Sequence, residues 1–344
     1  MFQNLPMYHT NPPLLSPTSP KPFMSYSQQI KILQDRGMIF SDLQYAEKKL
    51  AEVNYYRLSG FWYVFREIEK DSNGNVVYHS YNNKIPKRLE RFIPNTEFKN
   101  VFDLYLFDKN LRLLVLDALE RIEVFIRSLI AYEMGKFDPL AYKDNKYINS
   151  KFLVSNNNKI PDWDTWVIDN KKHIDRSRED CIIWHRKTNR EIPIWVVTEV
   201  WDFGLMSKYF SMLNGNYKNK ICGRIDINLT PDILNNWLME LNILRNRCAH
   251  HTRIWNQVSL NSLRIPMIDY FKKINLSKQS LNRMSSNIAI LWFLVNKMGS
   301  SSTWLDKISA LLKSQTEKSY FSITPMGFTD NWQEEILRYK NAVS

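Results

Sequence analysis

Glycine is scarce, with nine residues in 344. That shortage argues against a glycine-rich phosphate loop and against a β fold dense in tight turns. Cysteine is scarcer still. Cys181, Cys222 and Cys248 are too few and too scattered for a disulfide framework, so a reducing compartment is expected. No basic-then-apolar leader opens the chain. The longest apolar stretch, Ile288–Val295 (IAILWFLV), falls far short of the roughly 20 residues that span a bilayer. A cytoplasmic protein with no membrane partner is the expectation. Histidine is also rare, six in all, which gives weight to the one place where two stand side by side.

Positive charge is plentiful. Lysine and arginine number 47 against 35 aspartates and glutamates, a net charge of +12. That balance favours a polyanionic partner, nucleic acid first and an anionic membrane surface second. Hydrophobic residues at 44% and aromatics at 13% are enough to fold the chain around a core.

Residues 1–24 carry Pro6, Pro12, Pro13, Pro17, Pro20 and Pro22 and read as an extended, flexible arm. Ser25 or Ser27 can cap a helix over QQIKILQDRG that Gly37 closes, and Ser41 can cap DLQYAEKKLAEV. The aromatic-rich Asn54–Arg66 follows, then an Asn73-Gly74 turn signal that supports one short β-hairpin. Beyond Pro94, Thr96 or Asn95 caps a helical pattern that persists to Gly135. Lys143–Lys159 is a polar, Asn-rich loop; Asp162–Lys187 reads as one helix with an irregular stripe; Pro193 opens IWVVTEVWDFGLMSKYFSML. Thr230-Pro231 starts another helix. Neither a repeat nor a βαβ alternation is present, so the fold class is all-α in the main. An N-terminal helical and aromatic region, 25–95, is expected to pack as one unit with a helical domain, 96–344.

The helix from Pro231 leads into LRNRCAHHTRIWN, Leu244–Asn256: three arginines, a cysteine and two histidines without an acid. If the helix runs through this motif at 100° per residue, Trp237, Leu241, Leu244, Cys248 and Trp255 fall within about 40° of one another. They form a core stripe. Asn242, Asn246, His250 and Arg253 lie opposite, His251 and Arg247 flank the stripe on one edge, and Arg245 flanks it on the other.

Three readings follow. The first is a solvated polar face with one boundary histidine. The second is a metal site built from Cys248, His250 and His251, with Cys181 and His185 at i, i+4. Zinc needs three or four convergent ligands. Cys248 and His250 point to nearly opposite sides, so no metal and no other cofactor is expected. The third is metal-free RNA cleavage, which needs a base for the 2′-hydroxyl, an acid for the leaving oxygen and a cation on the phosphate. His250, Asn246, Arg245, Arg247 and Arg253 supply those types within about two turns.

The motif resembles the closing block of the Abi-like abortive-infection family, the AbiD/AbiF group. QQIKILQDRGMIF, NYYRLSGFWYVFR, LYLFDKNLRLLVLDALERIEVFIRSLIAY and IPIWVVTEVWDFGLMSKYF resemble its other blocks in the same order, and length and basicity are most like the AbiF branch. The resemblance implies a HEPN-type helical bundle, whose signature is Arg, four to six residues, then His. Arg245 to His250 fits with four intervening residues and His251 with five, so the signature alone does not choose between the histidines. Together with the wheel, which turns His250 outward, it implies Arg245, Asn246 and His250 as catalytic, with His251 catalytic or structural. A single motif per chain implies a homodimer that completes one composite site. In a straight helix Arg245 and His250 stand about 140° apart, so they meet in trans or the arginine wraps round. The resemblance also implies RNA as partner: a small non-coding RNA of a toxin–antitoxin or RNA-guided system, a target RNA, or both.

Arg247 and Arg253 are expected to contact RNA. So are Arg57 within YYRLSGF and the basic run at Lys87, Arg88 and Arg91, although a core aromatic cluster and a solvated face are the plainer readings. The functions to be told apart are a homodimeric HEPN endoribonuclease acting without metal during phage infection, a non-catalytic or repressed holder of a cognate RNA, and a protein–protein adaptor.

Overall fold

The computed structural model describes residues 20–80, 82–155, 160–299 and 301–343, with backbone alone at 82–85. Of the proline-rich arm, residues 1–19 lie outside the described residues, and 20–24 are neither helix nor strand. Fourteen α-helices and four short strands are found among the described residues, so the chain is mainly helical as its periodicity predicts. It divides into two compact units, Met1–Asp103 and Leu104–Ser344.

In the first unit α1 (Tyr26–Asp35) opens on a reciprocal cap. The Ser25 hydroxyl accepts the Gln28 N–H, and the Gln28 side chain accepts the Ser25 N–H. Gly37, at φ 93°, closes it: the N–H groups of Gly37 and Met38 return to the carbonyls of Gln34 and Leu33. Asp42, not the expected Ser41, caps α2 (Leu43–Val53), because its carboxylate reaches the Tyr45 N–H at 2.9 Å. Asn54 then turns the chain into α3 (Tyr55–Trp62), which buries Leu58, Phe61 and Trp62 and leaves Tyr56 and Arg57 exposed.

Four strands follow: β1 (Arg66–Ile68), β2 (Tyr78–His79), β3 (Asn82–Pro86) and β4 (Arg88–Phe92). They form two antiparallel pairs, β1–β4 and β2–β3, where one hairpin was expected. The Asn73-Gly74 turn forms, with Gly74 at φ 83°, but only a Lys70–Val76 bridge flanks it. The Asp71 carboxylate takes the N–H groups of Asn73 and Asn75 across the turn, and two backbone bonds, Asp71 N–H to the Asn75 carbonyl and Val77 N–H to the Glu69 carbonyl, flank the bridge.

α4 (Phe98–Gly135) runs on into the second unit. Before it, the Thr96 hydroxyl donates to the Ile93 carbonyl instead of capping the helix. From Leu104 onward Leu111, Val115, Leu119, Ile122 and Ile126 are buried at helical spacing. The single helix expected over Asp162–Lys187 is two, α5 (Asp162–Arg176) and α6 (Asp180–Lys187). Extended backbone at Ser177 breaks it, the Ser177 hydroxyl accepts the Glu179 N–H, and Arg186 donates to the carbonyls of Ile174 and Ser177. The segment after Pro193 likewise divides into α7 (Ile194–Val197) and α8 (Phe203–Met212), the latter capped by Asp202.

α9 (Gly215–Ile225) leads to α10 (Pro231–Ala249), with Pro231 in its first turn. α10 buries Leu234, Trp237, Leu238, Leu241, Leu244 and Cys248. The Trp237 indole N–H donates to the Arg264 carbonyl at 2.8 Å, and its ring packs on Phe271 and Phe293. α11 (Asp269–Ile274), α12 (Met284–Met298), α13 (Trp304–Thr316) and α14 (Trp332–Asn341) complete the unit. α12 is buried without interruption from Met284 to Val295. The IAILWFLV run is therefore a core element, each large side chain contributing about 1.5–3 kcal/mol by its burial. No helix among the described residues is long and apolar enough to cross a membrane.

Candidate functional site

α10 stops inside the motif. Its last helical residue is Ala249, His250 is the C-cap, and His251 turns left-handed at φ 57°. The His251 N–H returns to the Cys248 carbonyl at 3.1 Å and the Thr252 N–H to the Arg247 carbonyl at 2.8 Å. These are the two bonds of a glycine-closed helix end, made here with histidine in glycine's place. Left-handed backbone costs a residue with a Cβ about 1 kcal/mol.

The early stop corrects the wheel beyond Ala249. His251, expected at the core margin, is exposed. Arg253, expected on the solvent face beside His250, is half-buried. Trp255 is buried as expected, but the path of a loop puts it there and not the helical stripe.

Asp108 on α4 holds that loop. Its Oδ1 accepts the N–H groups of both Ile254 and Trp255 at 2.9 Å, and its Oδ2 pairs with Arg112 one turn along the helix. Both side chains are out of solvent, 0% and 5% exposed, which makes this a buried ion pair and not a surface one. Burial pushes the Asp108 carboxyl upward, against the pull of Arg112, the two amides and Arg253. Burial also lowers the Arg253 guanidinium, opposed by Asp108.

Neither Asp108 nor Arg112 belongs to a motif of the sequence. The available signal was an acid and a base at i, i+4 on an apolar face, where Asp108 falls in line with the buried Leu104 and Leu111.

On the outer side, Asn246 and His250 are exposed and Arg245 partly so, with the Arg245 guanidinium donating to Asn246 Oδ1 at 3.4 Å. Arg247 is turned to Gln257, 2.6 Å away. Met239 and Ile243, each 41% exposed, extend the strip of α10 that carries Asn246 and His250. Cys248 faces the other way, fully buried, and burial pushes its thiol up to about 12. Among the described residues no three His, Cys, Asp or Glu side chains converge as metal ligands would. The Cys181–His185 spacing has a different content: His185 Nδ1 bonds the Cys181 carbonyl, not its thiol.

The other expected RNA contacts lie in the first unit. Arg57 is exposed and Lys87 half-buried. Arg91 pairs with Glu67 at 2.7 Å on the surface. Arg88 is drawn inward to donate to the carbonyls of Val64 and Arg66, and burial lowers its guanidinium. What the structure brings together is Arg245, Asn246 and His250 at the end of α10, with Arg247 and Arg253 directed into the supporting loop.

No curated protein and no solved structure was found to match the chain. A family model described as Abi-like protein matches residues 48–256, more than half of the chain, from within α2 to the final residue of the motif. The match thus takes in both Asp108 and the loop that it holds, and the chain belongs to the Abi-like protein family.

Proposed function

We propose that this Abi-like protein is a HEPN-type endoribonuclease of the AbiF branch that cleaves RNA without metal, through Arg245, Asn246 and His250 of two copies meeting across a two-fold axis. Membership of the family points to a role in abortive infection, the anti-phage response. The observation that carries the enzymatic reading is the exposure of Asn246 and His250 beside Arg245 on a helix end anchored from behind by Asp108.

In such a reaction one imidazole takes the proton of the 2′-hydroxyl and the 2′-oxygen attacks phosphorus. The bond to the 5′-oxygen breaks, and a second imidazole protonates that oxygen. The products are a 2′,3′-cyclic phosphate and a 5′-hydroxyl. Arg245 steadies the charge that builds on the phosphoryl oxygens. One histidine of this kind per chain calls for a partner copy. The exposed Met239 and Ile243, in line with His250, favour one: apolar side chains at the centre of a helix-to-helix contact stabilise it while the polar end stays wet.

Cleavage of total RNA in EDTA tests the proposal. Wild-type protein should cut. His250→Ala should cut at least about 100-fold more slowly, the scale of one general acid or base, with an unchanged melting temperature because the side chain is exposed. A favourable observation exists for His251 too, since it is equally open to solvent. An active His250→Ala with a dead, folded His251→Ala transfers the role to His251. RNA that copurifies intact and is never cut makes the protein a holder of RNA.

A further inference from the structure

We propose that the cleft between α5 and α6 binds one nucleotide of a single-stranded RNA, on residues distinct from those at the end of α10; this rests on the reading of RNA as the partner. The cleft has a volume of about 770 Å³ and is lined by Asn170 and Lys171 of α5 and by His185, Arg186 and Arg190 from α6 onward. That volume suits a ligand of nucleotide size.

Two of its polar groups are fixed from behind. Asn170 is 5% exposed, and its Oδ1 accepts the indole N–H of Trp201 at 2.8 Å. The amide is thereby oriented, and its Nδ2 donor has no hydrogen-bond partner among the described residues. Nδ2 reaches the solvent of the cleft, where a ligand acceptor can take its hydrogen. His185 Nδ1 lies 2.7 Å from the Cys181 carbonyl. A carbonyl only accepts, so Nδ1 carries a proton and Nε2 is the ring nitrogen left for a ligand. An oriented amide and an imidazole nitrogen lining one cleft offer hydrogen-bonding groups to the edge of a nucleobase, which presents donors and acceptors.

The cations supply the rest. Arg186 is tied to the carbonyls of Ile174 and Ser177, and Lys143 to Glu191. Lys171 holds Asp175 only loosely, at 3.8 Å with both side chains mostly exposed. The Arg190 guanidinium rests over the Trp184 ring, 5.1 Å from its centre, and no carboxylate pairs with it among the described residues. Trp184 is 48% exposed and packs edge-to-face on the His185 ring, 4.8 Å between centres, so it borders the cleft through His185 and Arg190. Stacking on an aromatic ring beside phosphate-seeking cations is how single strands are held. A base within a duplex cannot enter such a cleft without leaving its stack. An acidic peptide would use the cations alone, with no need of the oriented amide or the aromatic rings.

Fluorescence polarisation with a labelled 15-nucleotide RNA of randomised sequence, single-stranded and as duplex, tests this on the full-length protein. Wild type should bind the single strand at least 5-fold more tightly than the duplex. His185→Ala and Arg190→Ala should each weaken that binding at least 5-fold at unchanged melting temperature. Arg190→Ala should also lower the slope of log K against log[salt] by about 0.7, the share of one single-strand phosphate contact, and Arg190→Lys should restore the slope. If wild type binds RNA and both alanine variants bind equally well, the cleft proposal is overturned while the RNA reading survives. If wild type binds no RNA, both fall. If a polyglutamate peptide competes as well as unlabelled single-stranded RNA, the cleft is a general anion site and the proposal is overturned.

Discussion

α1 and α10 end in the same way with different residues. At both ends the chain turns left-handed one residue past the cap, and the next two N–H groups close on carbonyls of the last turn. At α1 the left-handed residue is Gly37, φ 93°; at α10 it is His251, φ 57°. Glycine adopts this backbone without penalty, whereas histidine does not. Both ends are also held from outside, but differently: at α1 the Phe92 N–H donates to the carbonyl of the cap residue Arg36 at 2.8 Å, whereas at α10 the buried Asp108–Arg112 pair holds the loop beyond, Asp108 accepting two of its amides. A helix end that is intrinsically less favourable is thus over-determined by a group 146 residues away in the chain. That arrangement keeps the neighbouring side chains in one orientation, as a site for chemistry requires.

Removing the support should have the largest effect. Asp108→Ala leaves Arg112 and two amides unmet in the interior and should cost about 3–5 kcal/mol in urea unfolding. A loss under about 1 kcal/mol would mean that the loop is held by something else. Gly37→Ala should cost about 1 kcal/mol at the glycine-closed end, measured the same way. The opposite change at the end of α10, His251→Gly, should stabilise by roughly 0.5–1 kcal/mol. If it destabilises instead, the histidine side chain contributes more than its backbone costs. The smallest effect is on thiol chemistry. Burial raises the thiols of Cys248 and Cys222 to about 12, so a thiol reagent at pH 8 should modify the folded protein at Cys181 alone, and at all three cysteines once unfolded.

The contrast also marks how far the sequence can be read. Gly37, the capped start of α1, the periodicity of α4 and the core stripe of α10 were legible because each is a local pattern with a local cause. The stop at Ala249 was not. No glycine follows it, so helical spacing carries on through His251 and Arg253 and assigns both to the wrong surroundings. The helix ends at a left-handed His251, and the loop beyond it is held by Asp108, a contact that no window of neighbouring residues contains. The break between α5 and α6 is of the same kind, with Arg186 reaching back to the end of the preceding helix. At the candidate site the residue types and the buried Cys248 were readable. The partition between outward Asn246 and His250 and inward Arg253 needed the fold.

The most direct test of the central claim, a site shared between two copies, is complementation. Arg245→Ala and His250→Ala proteins, each inactive alone, are mixed, allowed to exchange subunits, and assayed for RNA cleavage in EDTA. The account predicts that activity returns in the mixture, in step with the appearance of heterodimers by native mass spectrometry. Heterodimers that form and remain as inactive as either parent would contradict it, as would wild-type protein that cleaves RNA while sedimenting only as a monomer.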